Sequence, residues 1–200
     1  ADYNRKETIA AHSKGHHKYF ISNTILNADV IISMPKLKVH RKVGVTLNTK
    51  NMVGINGNKN YLVHYQVGTQ SRGGDEFSVE SVQAILDRVM KDMTMGKCWR
   101  YGKYLYAAYL KGKDFLKIKD KSGQNKGGDW WGNDTTWRMA VDLNKVLLFS
   151  DKNGVLSNKK RRYLSVIDGI VGGEGEGPLA STPVKSGVII TGTNPVAADI

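Results

Sequence analysis

The residues best suited to chemistry fall into four short stretches. The first runs from Pro35 to Asn51 and sets one imidazole, His40, among Lys36, Lys38, Arg41, Lys42 and Lys50. An imidazole titrates near neutral pH and can pass a proton in either direction. A lysine crowded by other cations loses its proton more readily, which is how lysine nucleophiles and anchors are made. His40 is therefore the candidate acid/base and Lys50 the candidate anchor. Lys36 and Lys38 would neutralise substrate charge, and Thr46 and Asn51 would bind the ligand. A solvated basic loop is the competing reading of the same letters.

The second stretch is Asp168-Gly169 followed by Glu174-Gly175-Glu176-Gly177-Pro178. Carboxylates on a glycine-rich segment can hold a hard divalent cation through oxygen or orient a lysine. Asp168 is a candidate catalytic residue, and Asp168, Glu174 and Asp199 are candidate metal ligands. An acidic turn is the alternative. The third stretch, Arg72-Gly73-Gly74-Asp75-Glu76-Phe77, has the letters of the GGDEF signature of diguanylate cyclases. The metal and nucleotide segments those enzymes need are missing upstream. It reads instead as a ligand loop, with Gly73, Gly74 and Asp75 binding ahead of a helix whose dipole Asp75 and Glu76 complement. The fourth, Trp130 to Arg138, places Asn133, Asp134 and Arg138 at a helix start, where they can grip an anion or serve as a cap beside buried Trp. His12 and His16 are four apart, a metal-ligand spacing on a helix face. Ser13, Lys14 and Gly15 between them favour a solvated helix end.

Strands and helices must gather these stretches. Ala28 to Ser33, Tyr163 to Ile167 and Gly187 to Thr191 are β-branched runs that read as buried strands. Residues 7–26, Phe77 to Met95, Trp99 to Leu110 and Thr135 to Phe149 carry helical spacing. On the last of these, Asn133 or Asp134 is the expected N-cap, and Trp137, Ala140, Val141, Asn144 and Leu148 the expected inner face. Lys36 to Glu76 reads as a long functional loop and 111–128 as an exposed one. Alternating strands and helices predict an α/β fold, a layered, mostly parallel sheet flanked by helices. Ligands of such sheets bind beyond the carboxyl ends of strands, where two of the four stretches begin.

The chain has 200 residues, 30 Lys and Arg against 18 Asp and Glu, and a net charge of +12. It suits one domain over residues 1–200. A hydrophobic fraction of 40% excludes a disordered basic tail. No apolar run is long enough to span a bilayer. The lone cysteine, Cys98, cannot by itself close a disulfide or hold an iron–sulfur cluster. The positive balance points to an anionic partner. Lys159-Lys160-Arg161-Arg162 is the one tight basic cluster, and no nucleic-acid motif accompanies it. Both ends read as cut from a longer protein, and a cytoplasmic location is the expectation.

Several separated motifs, in order, resemble the domain of unknown function 362 family. They are Ala28-Asp29-Val30-Ile31-Ile32-Ser33-Met34-Pro35-Lys36-Leu37-Lys38-Val39-His40, Gly44-Val45-Thr46, Lys50-Asn51, Gly73-Gly74-Asp75-Glu76, Asn133 to Arg138, Asp142-Leu143-Asn144, Ile167 to Ile170, Glu174-Gly175, Gly177-Pro178 and Asn194 to Asp199. The family name states no activity. Some members carry ferredoxin-like modules, which implies a redox-associated partner as one reading. Within the first motif, His40, Gly44 and Lys50 keep the spacing seen in nickel-pincer lactate racemases. In those enzymes the His acts as acid/base and the Lys bonds the cofactor. The glycine-rich run before the racemase lysine is replaced here by Leu47-Asn48-Thr49.

The leading expectation is an enzyme or ligand-binding domain for a small anionic carboxylate or phosphate, with a divalent cation as the candidate cofactor. A polyanion- or nucleic-acid-binding module is the alternative.

Overall fold

The computed structural model describes residues 4–95, 99–115 and 127–200. Cys98 and residues 116–126, most of the Lys-rich stretch 111–128, lie outside them. In chain order the elements begin with α1 (Arg5–Ala11), β1 (His12–Ser13), β2 (His16–His17) and α2 (Asn23–Leu26). Then come β3 (Val30–Ser33), β4 (Lys36–His40), β5 (Gly44–Val45) and α3 (Asn48–Asn51). Two long helices follow, α4 (Val82–Met95) and α5 (Trp99–Phe115), and then α6 (Thr136–Phe149). The chain continues through β6 (Arg162–Glu176), β7 (Ala180–Val184), β8 (Val188–Gly192) and α7 (Pro195–Asp199). This is the expected α/β architecture, built on a mixed sheet.

β6 organises that sheet. It runs parallel to β3 over Arg162–Ser165 and parallel to β4 from Asp168 to Gly173. Its other edge takes β8 antiparallel over Ser165–Gly169 and β7 antiparallel over Gly172–Glu176. β3 and β4 together form one bent ribbon interrupted at Met34-Pro35, and β7 and β8 form another. The β6 side chains alternate in burial with period two, as a strand packed on one face must. Tyr163, Ser165 and Ile167 point inward, while Leu164, Asp168 and Ile170 are exposed.

α6 covers the inner face. Met139, Ala140, Leu143, Leu147 and Leu148 pack with Tyr163, Met52, Val53 and Leu62 in one core. The helix is therefore rotated from the sequence expectation: Trp137 and Val141 lie outward, exposed. Val30, Ile32, Leu164, Ile170 and Ile189 form an uncovered apolar strip on the outer face.

Four further expectations change. The chain from Lys36 is a strand before it is a loop, because Lys-Leu-Lys-Val-His alternates polar and apolar residues. Residues 7–26 are not one helix, since Lys14 and Gly15 adopt positive φ and turn the chain into the β1–β2 hairpin. α4 starts only at Val82, where the Ser81 hydroxyl accepts from the Ala84 N–H at 3.0 Å. The glycine-rich acidic segment after Asp168 is no loop but the second half of β6. Its glycines let neighbouring strands approach. A Cβ at Gly169 would lie 2.9 Å from Leu37 Cδ2 and one at Gly173 2.8 Å from Ser181 Cβ. A Cβ at Gly177 would overlap the Val39 carbonyl.

Gly177→Ala should therefore cost at least about 2 kcal/mol in chemical denaturation, because backbone and not a flexible side chain must yield. Gly54→Ala, with open space around its Cα, should stay within about 0.5 kcal/mol.

Candidate functional site

His40 is the last residue of β4, opposite Gly44 of β5, and is 8% exposed. The ribbon thus delivers the imidazole to the end of the sheet, and the turn after it folds back. The Lys42 backbone N–H donates to His40 Nδ1 at 3.1 Å. The neutral ring therefore carries its proton on Nε2. Burial, then the charges of Lys50, Lys42 and Lys38, push His40 down to about 4.

Lys50 sits on α3. Burial and the Lys42 charge hold its ammonium below the ordinary lysine range. α3 is fixed by Asp199 on α7, whose carboxylate accepts from four donors. These are the Asn48 backbone N–H and side-chain amide, both at 2.9 Å, the Thr49 N–H at 2.8 Å and the Thr49 hydroxyl at 2.6 Å. Asn48 also accepts from the Tyr163 hydroxyl at 3.0 Å, and the Asn51 amide donates to Ser33 at 3.1 Å. The lysine helix is thereby tied to both the sheet and α7.

A residue the sequence did not mark joins this cluster. Burial, followed by Lys42, Lys50 and His40 among the charges around it, pushes His64 down to about 4. Its backbone carbonyl accepts from the Thr136 hydroxyl at 2.5 Å, which docks it on the start of α6. His64 also lines a cavity of about 370 Å³, together with His12, Tyr19, Glu76, Arg88 and Arg138. His40 and Lys50 are not on that cavity's wall, so the basic cluster and the cavity are neighbours that share His64. Lys42 donates to the Gly127 carbonyl at 2.5 Å, lies 3.8 Å from Asp129 and stacks over Tyr65.

The chain matches the family described as Domain of unknown function (DUF362) across residues 1–200. It belongs to that family. The thylakoid-associated protein sll1697 of Synechocystis sp. is 33% identical over 66 residues, covering 32% of this chain and 21% of that relative. The matched segment thus spans about a fifth of the relative's length. No solved structure matches.

In this DUF362 chain the other expected site residues have varied places. Lys38 contributes charge at His40 and donates to the Pro178 carbonyl at 3.3 Å. Thr46 has a buried hydroxyl with no hydrogen-bond partner. Gly73, Asp134 and Arg138 line the cavity, with Asp134 and Arg138 paired at 2.8 Å. Gly74 packs against the Val67–Gly68 backbone, where a Cβ would overlap the Val67 carbonyl. Asp75, 3% exposed, accepts from the backbone N–H groups of Gln66 at 2.5 Å and Asp134 at 2.8 Å. The Asn133 amide donates to the Lys42 carbonyl at 2.6 Å, and the helix cap is Thr135.

Lys36 pairs with Asp168 at 2.7 Å on the outer face. Asp168, Glu174 and Asp199 are not brought into one cluster. Among the described residues no group of three or more His, Cys, Asp or Glu could hold a metal ion. No helix among them is long and apolar enough to cross a membrane.

Burial and then the neighbouring lysine charges push both His40 and His64 from the ordinary 6.5 down to about 4 in the folded chain. The unfolded chain therefore binds more protons between pH 6.5 and 4. Stability should be full above pH 6.5 and fall as pH drops through that window, by about 1.4 kcal/mol per unit for each histidine. His40→Gln should remove one proton's worth of that slope, read from denaturation midpoints at a series of pH values. Asp199→Ala should cost about 3 kcal/mol, since several charge-assisted hydrogen bonds lose their acceptor. Denaturation at pH 7 measures that loss.

Proposed function

We propose that this chain binds a small anionic molecule, a carboxylate or phosphate, beside His40, Lys50 and His64, with His40 moving a proton and Lys50 anchoring charge. One observation carries the reading. Two imidazoles and two lysines are drawn together at a desolvated place, where Lys42 and Lys50 each lower the protonation of both imidazoles. Gathering like charges out of water costs free energy, and an anion offsets that cost. Functional sites are where such arrangements concentrate.

The same electrostatics describe how the site works. Without ligand, His40 is neutral at pH 7 and offers its Nε2 proton as a hydrogen-bond donor. A bound anion opposes the charge of Lys38, Lys42 and Lys50 and moves the imidazole pKa back up toward its ordinary value. Binding thus brings His40 into the range where it can give or take a proton. Lys50 serves as an electrostatic anchor in this reading. The side chains of Asn48 and Thr49 ahead of it are held by Asp199, in place of the glycine-rich approach of the pincer racemases.

The basic tetrad at 159–162 supports the small ligand over a polyanion. Arg161 donates to the carbonyls of Ile25, Leu26, Ala28 and Ser150, at 2.7 to 2.9 Å. Lys160 donates to the Thr193 carbonyl at 3.3 Å. Half of the tetrad is thus engaged within the fold.

Phosphate and lactate titrations followed by calorimetry test the proposal. Wild-type protein should bind at least one of them, more tightly at pH 5.5 than at pH 8. Lys50→Met and His40→Gln should each weaken binding at least tenfold. Equal binding by both variants and wild type would sink the reading. Binding of an oligonucleotide with a steep salt slope, with neither anion bound, would favour the polyanion alternative.

A further inference from the structure

The β1–β2 hairpin carries chemistry that the basic cluster does not use. Its two central residues, Lys14 and Gly15, have φ of 55° and 76°. Positive φ at both positions marks the type I′ turn, whose twist fits an antiparallel pair and fixes its register. His12 therefore lies opposite His17, and Ser13 opposite His16. Directly opposed residues project from the same face. The helix reading paired His12 with His16. The hairpin instead pairs it with His17 and turns His16 to the other face.

The two imidazoles stand with ring centroids 5.4 Å apart and their Nδ1 atoms 3.2 Å apart. His12 Nε2 is 2.8 Å from the Tyr61 carbonyl oxygen. A carbonyl only accepts, so Nε2 carries the proton, and in the neutral ring Nδ1 holds a lone pair. Burial keeps His12 below its ordinary pKa, in that neutral form. Two nitrogen ligands of one tetrahedral ion, each about 2.0–2.1 Å from it, stand about 3.3 Å apart. The observed separation matches that bite. Metal-bound histidines also characteristically donate their second N–H to a backbone carbonyl or carboxylate, which orients the ring. His12 already does so.

The surroundings suit a cation in an otherwise basic chain. Both histidines line the 370 Å³ cavity, as do Tyr19 and Asp142. The Tyr19 hydroxyl donates to Asp142 at 2.8 Å, and the Asp142 charge reaches His12.

We propose that His12 and His17 form a binding site for one divalent transition-metal ion of the zinc, nickel or copper class. Imidazole nitrogen selects these ions over magnesium and calcium, which take oxygen. Two protein ligands leave the remaining coordination positions to water or to a small ligand in the cavity. The site is separate from the His40–Lys50 cluster and does not depend on it.

The test uses the full chain stripped of metal with a chelator. Zn²⁺ and Ni²⁺ are titrated against a chromophoric competitor, and Co²⁺ is followed by its visible absorption. One saturable Zn²⁺ or Ni²⁺ per chain is expected, without competition from millimolar Mg²⁺. His17→Gln and His12→Gln should each weaken binding at least tenfold, and His16→Gln should leave it unchanged. His17 is exposed, so its variant keeps the test valid even if loss of the Tyr61 bond unfolds the His12 variant. Absence of saturable binding would overturn the assignment. So would binding that survives His17→Gln, or that is lost in His16→Gln.

Discussion

The structure hangs on β6. Its fifteen residues are hydrogen-bonded on both edges, to β3 and β4 on one side and to β8 and β7 on the other. Because side chains alternate along a strand, a one-residue slip would turn Tyr163, Ser165 and Ile167 outward and break the core beneath α6. The same register sets how far β4 extends and so where His40 ends up. The glycines of β6 are the means. They remove side chains where Leu37 and Ser181 must come close, and so allow two bent ribbons to lie against one strand.

Charge is distributed by two different rules. The acids are mostly committed to architecture: Asp75 joins two loops, Asp199 holds α3, Asp168 pairs with Lys36, and Glu176 pairs with Arg41. Several bases near the end of β4 face one another instead. A protein that spends its carboxylates on loops and gathers lysines and histidines in a desolvated place gives up some stability there. The Leu143, Leu147 and Met139 core, essentially free of solvent, offsets that loss.

Much of the fold was legible in the sequence. The β-branched runs at 30–32 and 188–190 became strands because stiff branched side chains favour extended backbone. α6 was equally visible, but two overlapping apolar stripes hid which face is inner, and tertiary packing chose Met139 and Leu143 over Trp137 and Val141. The glycine-rich end of β6 misled because glycine looks the same whether it frees a turn or admits a neighbouring strand. His40 and Lys50 stood out by spacing. His64 did not, because its role comes from contact with α6, seventy-two positions later. The His12–His17 pair was concealed by period: a helix pairs residues four apart, and a two-residue hairpin turn pairs those five apart.

The Asp199 clamp also orders events in time. Thr49 and its acceptor are separated by 150 residues. A ribosome delivers the Lys50 segment about 150 residues before the carboxylate that immobilises it. Closing so large a loop is entropically slow relative to forming the β1–β2 hairpin. During synthesis the lysine helix, four residues long, has too few internal hydrogen bonds to persist alone. The corner that holds His40 and Lys50 therefore matures only after Asp199 has joined the fold, behind the strands paired with β6.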